Sequence, residues 1–157
     1  MTIQVAIAFF CVIQITMAQQ MCTSCLPRDI YVTVQYQVTF RSTSCRPPNG
    51  TTPTPNYPIT IAVPSGSTVL DVMQQAVGID GKTPSAFKFS ATNFGPQLGF
   101  SIDAIGGISS INTGSSGCYW QLLYRYLNNP LTSSNVGASH FSICCNGYSI
   151  VWQYTAY

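Results

Sequence analysis

Polar and apolar residues alternate most clearly from Tyr31 to Phe40, YVTVQYQVTF. A period of two with β-branched residues predicts a strand with one buried face. Ile59 to Val63 repeats the pattern and stops at Pro64, and Ser65–Gly66 follows as a turn. The period then changes. Val69, Leu70, Val72, Met73, Ala76 and Val77 recur at helical spacing and form one apolar stripe. The spacing predicts a helix over Thr68 to Val77, with Ser67 or Thr68 as its cap, Asp71 in its first turn and Gly78 as its stop.

Strand patterns return beyond the helix. Phe87-Lys88-Phe89 alternates, Phe94 to Leu98 reads as a turn, and Ile102 to Ile108 reads as a strand ending at Gly106–Gly107. A polar loop, Asn112 to Gly117, then abuts a run containing Tyr119, Trp120, Leu122 and Leu123. That run reads as a buried strand, with Trp120 a core anchor by default. Asn128 to Gly137 is a loop. Asn146–Gly147 stands between Phe141–Cys145 and Tyr148–Tyr154, the strongest short-range signature of a β-hairpin. No repeat and no linker divides the chain. The order strand, strand, helix, strands predicts an α+β fold, with one main helix on mostly antiparallel sheets and a C-terminal hairpin.

Composition narrows the function. Charged residues make up 6% of the chain, Glu is absent, and the net charge is +2. The six basic residues are scattered, which argues against nucleic-acid binding. Residues 1–18 read as a secretory signal peptide: Ile3 to Ile15 is apolar but too short to span a bilayer, and small residues precede Gln19. A secreted, extracellular chain without a membrane anchor after cleavage is expected. Residues 19–29 form a Cys-containing segment, and residues 30–157 form the domain proper.

Removing Cys11 with the signal leaves Cys22, Cys25, Cys45, Cys118, Cys144 and Cys145 as disulfide candidates. Six cysteines allow about fifteen pairings. Adjacent Cys144 and Cys145 would point to opposite faces of a strand, which favours separate partners. Cys22-Thr-Ser-Cys25 also fits a redox or zinc spacing, but an oxidising compartment and the lack of a second pair favour disulfides. Asn49-Gly50-Thr51 is a glycosylation sequon in a Pro/Thr/Asn-rich loop.

Reactive groups are sparse: one His and four Asp. No Gly-x-Ser-x-Gly elbow, paired carboxylates, metal-ligand spacing or phosphate loop is present, so no catalytic or metal residue is assigned. A triad built spatially around His140 is the remaining catalytic option. Aromatic runs beside amide-rich loops suit binding of a neutral ligand or another protein, with no cofactor required.

The order of motifs resembles the C-terminal domain of the transcobalamin and intrinsic-factor family. The matching pieces are VPSGSTVLDVM (Val63–Met73), Phe87-Lys88-Phe89, Phe94-Gly95-Pro96, CYWQLL (Cys118–Leu123) and GYSIVW (Gly147–Trp152). The resemblance implies a β-grasp-like domain that binds cobalamin or another corrinoid. In that family two stretches of the domain touch the corrin. One is matched by Phe94, Gly95, Pro96, Gln97 and Leu98. The other is matched by Trp120, Gln121, Leu122, Leu123 and Tyr124, and continues to Pro130 and Leu131. Here Phe94 stands where the family has Trp, and Tyr124 to Asn129 add length. The family's large helical domain has no counterpart in the sequence, so one half-site is expected. The alternative is an extracellular structural or interaction protein that keeps the fold without the ligand.

Overall fold

The computed structural model describes residues 30–40, 45, 58–79, 86–112 and 116–157. Residues 1–18, expected to be a signal peptide, and Cys22, Cys25 and Asn49 lie outside these residues. The elements are β1 (Tyr31–Phe40), β2 (Ile59–Pro64), β3 (Ser67–Thr68), α1 (Val69–Ile79), β4 (Phe89–Asn93), β5 (Phe100–Ile105), β6 (Ile108–Ser109), β7 (Ile111–Asn112), β8 (Gly117–Tyr126), β9 (Thr132–Ser133), β10 (Ser142–Ile143) and β11 (Tyr148–Ala156).

One six-stranded sheet dominates, in the order β2-β1-β11-β8-β7, with β9 also on β8. The alternation in β1 does what its period requires: Val32, Val34, Tyr36 and Val38 are buried, while Tyr31, Thr33 and Gln35 are exposed. Registers carry that face across the sheet. Tyr36 stands opposite Ile150, Val38 opposite Trp152, and Phe40 opposite Tyr154. On the far side of β11, Trp152 meets Leu122 and Tyr154 meets Trp120. These residues share one core. A three-stranded sheet, β4-β5-β6, and a two-stranded one, β3-β10, complete the described structure.

α1 packs on β2 and β1 through Val69, Val72, Met73 and Ala76, all fully buried. Leu70 and Val77, expected in the same stripe, are only half-buried. Thr68 is the cap. Its hydroxyl accepts from Asp71 N at 3.3 Å, while the Asp71 carboxylate accepts from Thr68 N at 2.7 Å. This is a capping box with Asp in the acidic position. The next free donors are also used: Val69 N reaches Phe141 O at 3.0 Å and Leu70 N reaches Ala138 O at 3.1 Å. The helix passes Gly78, expected as its stop, and runs to Ile79.

Three expectations change. The fold is β-rich rather than α+β and β-grasp-like: 54% of the described residues are in strands and 11% in one short helix. The large sheet is mixed: β1 pairs with β11 in parallel, while its other described pairings are antiparallel, as expected of a mostly antiparallel sheet. The C-terminal hairpin does not form. Asn146–Gly147 does turn, with Gly147 at φ +98°. Both edges of β11 are already taken by β1 and β8, so β10 pairs with β3 instead. The Asn146 amide oxygen accepts from Thr33 N at 2.8 Å and Thr33 Oγ1 at 3.0 Å, tying the turn to the start of β1. The run Ile102–Ile108 is likewise two strands. Gly106 and Gly107, at φ +61° and +82°, turn β5 back into β6.

Cys45 is disulfide-bonded to Cys118, joining the chain beyond β1 to the start of β8. Cys144 and Cys145 are disulfide-bonded as well. Among the described residues, no helix is long and apolar enough to cross a membrane.

Candidate functional site

A cleft of about 530 Å³ opens beside the outer edge of β8. Its floor is apolar: Ile102, Trp120, Leu122 and Trp152. Its walls carry uncharged polar groups, Ser101, Ser110, Asn112, Gln121, Ser133 and Ser134, beside the apolar Phe100, Ile111 and Val136. No Asp, Glu, Lys, Arg or His is among the described residues that line it. Tyr119 and Tyr157 form its rim, with ring centroids 5.8 Å apart. Gly117 makes that rim possible, since a Cβ there would collide with the Tyr157 hydroxyl and the Ile111 carbonyl.

The cleft is a gap in a sheet edge. β7 pairs with Gly117 and Cys118 at one end of β8, and β9 pairs with Leu123 and Tyr124 further along. Between them no described strand faces Tyr119 to Leu122. Ser134 N donates to Leu122 O at 2.9 Å, so the Leu122 main chain points to this edge. Main-chain groups two residues apart on a strand point the same way. The Trp120 N–H and C=O therefore face the gap, which is one hydrogen-bonded pair wide. That geometry accepts a single carboxamide, which offers both a donor and an acceptor.

Trp120 itself is 6% exposed and belongs to the core. Its indole N–H donates to Ile108 O at 2.9 Å. Its ring packs on Tyr154 at 4.9 Å and Phe40 at 5.5 Å. Gln121 lies on the other face of β8, its amide donating to Ser133 Oγ at 3.1 Å. Trp120, Gln121 and Leu122 thus meet at the cleft. Leu123 faces away from the core cluster, and Tyr124 packs on Phe141 at 4.9 Å. Pro130 and Leu131 do not line the cleft, but the chain runs from them into its Ser133–Ser134 wall.

Phe94 to Leu98 is the tip of the β4–β5 hairpin. Phe94 N donates to Gly99 O at 2.9 Å, Gly99 N to Gly95 O at 2.8 Å, and Gly95 N to Asn93 Oδ1 at 2.8 Å. The tip stands outside the cleft, with Phe94 59% and Leu98 73% exposed. The strand leaving it supplies the Phe100–Ile102 wall. Gly99 packs too closely on Ser139 and His140 to carry a Cβ. The Pro96 carbonyl lies 3.2 Å from His140 Nε2. His140 Nδ1 lies 3.3 Å from Ser139 Oγ. Both ring nitrogens are therefore engaged, and neither partner is a carboxylate. Asp71 caps α1, and Asp103 accepts from Thr92 Oγ1 at 2.8 Å. No group of three or more His, Cys, Asp or Glu that could hold a metal ion occurs among the described residues.

Sequence reasoning reached Trp120, Gln121 and Leu122 but missed the serines, Asn112, Tyr157 and Trp152. No local signal marks the serines, because they come from three separate segments. Trp152 lay inside a matched motif but read only as a strand residue.

No family model matches the sequence. No curated protein matches it either. Among solved structures, the chain is similar to haptocorrin in complex with Cbi, with a TM-score of 0.57 and 24% identity. The match covers 81% of this chain and 25% of haptocorrin, so the chain spans about a quarter of that protein's length. What this chain shares with haptocorrin is the fold of one β-rich domain.

Proposed function

We propose that this chain is a secreted binding module that holds cobalamin, or another corrinoid, in a half-site formed by the cleft on β8. The observation that carries the reading is the one-pair gap at Trp120, set in an uncharged wall of Ser, Asn and Gln above an apolar floor. A corrin is a broad ring fringed with carboxamides. Apolar side chains cover its flat parts, and main-chain and amide groups pair with its fringe. The likeness to haptocorrin in complex with Cbi supports the same ligand class. Phe94–Leu98 and Pro130–Leu131 lie outside the cleft but lead in sequence into its Phe100–Ile102 and Ser133–Ser134 linings, and on this reading they would extend the half-site. The corrinoid is cargo, and binding rather than catalysis is the activity. Disulfides at Cys45, Cys118, Cys144 and Cys145 support an oxidising, extracellular setting. Asn49 is the proposed glycan site.

The exposed apolar tip at Phe94 and Leu98 favours a second reading, an extracellular interaction protein without the ligand. Incubation with cobinamide or cobalamin, followed by desalting, separates the two. Retained corrin absorbance in proportion to protein is the expected result. No retention with either compound, and no weak binding by equilibrium dialysis, overturns the corrinoid reading.

A further inference from the structure

The two tryptophans of this chain sit on neighbouring strands and both line the cleft. Their indole nitrogens differ. Trp120 donates to Ile108 O, as described above. Trp152 is 4% exposed, and its indole N–H is buried without any hydrogen-bond partner. Buried donors are nearly always paired, so an unpaired one at the wall of a cleft calls for an explanation. Its partners across the sheet are Leu122 and Val38, neither of which has a side-chain acceptor. The nitrogen is also shut off from bulk solvent. A molecule that seats in the cleft and shifts the surrounding side chains could bring an acceptor to it.

We infer that the Trp152 indole N–H is a ligand-binding donor reserved for a neutral carbonyl oxygen, such as that of a carboxamide, entering the cleft. The inference rests on the cleft being the binding site, and it adds a residue outside the two corrin-contact stretches. An uncharged acceptor suits the site, because no described lining residue carries a charge that would compensate an anion. With the Trp120 main chain at the edge and Trp152 at the floor, the cleft offers polar groups at two depths.

Indole resonances of the full-length, ¹⁵N-labelled protein test this directly, since only two exist. Trp152→Phe assigns them and removes the donor while keeping a ring of similar shape. The probes are cobinamide and, separately, acetamide at high concentration, which carries the carboxamide without the ring. Both should move the Trp152 indole resonance and leave that of Trp120 nearly in place. Trp152→Phe should weaken cobinamide binding about tenfold, the worth of one neutral hydrogen bond. Cobinamide binding with the Trp152 indole unmoved would overturn the inference and leave the corrinoid reading intact. Acetamide moving that indole while cobinamide fails to bind would uphold the inference and sink the corrinoid reading. An indole that exchanges with a trapped water and answers neither probe overturns the inference. The wild-type titrations decide the matter even if Trp152→Phe fails to fold.

Discussion

The core has two ends that differ in kind. Under α1 it is aliphatic and closed: Val69, Val72, Met73, Ala76, Ile61 and Val63 are wholly buried. Beside the cleft it is aromatic and slightly open: Trp120, Leu122, Ile102 and Trp152 keep 4–8% exposure. The first end is finished by its own hydrogen bonds, with the helix cap satisfied by Thr68, Asp71, Ala138 and Phe141. The second leaves an indole donor and a stretch of strand edge without partners. One sheet thus has an end closed by its own packing and an end that opens on the proposed binding cleft.

Substitution tests that division. Trp120→Ala should cost the most, about 3–5 kcal/mol, because it removes a large ring packed on Phe40 and Tyr154. Urea denaturation measures it. A loss below about 1 kcal/mol would make the open end a mere surface and break the contrast. Met73→Ala comes next, at about 2–5 kcal/mol, since its side chain is fully buried at the closed end. Leu70→Ala, one turn before Met73 at the margin of the same stripe and only half-buried, should cost clearly less. Equal losses at the two positions would show that α1 packs in another orientation.

The smallest effect belongs to Tyr36, whose ring packs on Phe87 at 5.6 Å while its hydroxyl is buried unpaired. Tyr36→Phe removes a desolvated group and should be neutral or stabilising by up to about 1 kcal/mol. Burial raises the Tyr36 phenol above its ordinary range. The folded state therefore holds it protonated, while the unfolded chain ionises near pH 10. Its contribution is complete below pH 10 and is lost as pH rises beyond it, by about 1.4 kcal/mol per pH unit. Tyr148 and Tyr154 are raised in the same direction by burial. Stability curves measured above pH 10 should flatten in Tyr36→Phe; an unchanged slope would show that Tyr36 titrates normally.

Periodicity was a good guide where an element is defined by its own residues. β1, β2, α1, β8 and β11 all follow their apolar spacing, and Thr68 and Asp71 mark the helix start correctly. Pairing was not legible in the same way. Asn146–Gly147 is a real turn, but whether the strands beside it pair depends on which edge of β11 is vacant, and β1 decides that from over 100 residues away. Two-residue strands such as β7 and β9 carry too few side chains to show a period. The cleft is defined by the interval between those short strands, so only its floor could be read in advance. Trp120 was legible as core anchor and as candidate site residue; it lies in the core and also lines the cleft. Trp152 was not, because an absent hydrogen bond leaves no trace in a sequence.

The parallel ladder between β1 and β11 has a consequence for the order of assembly. β11 is the sheet's inner strand, yet it comes from residues 148–156, far along the chain from β1. Until those residues emerge during synthesis, β1 and β8 each present an open edge with nothing between them. The domain cannot crystallise its sheet piece by piece from the first strand outward. Contacts so distant in sequence form slowly, and exposed edges invite pairing with other chains in the interval. A nascent chain held open in this way closes its large sheet only when β11 slots between β1 and β8.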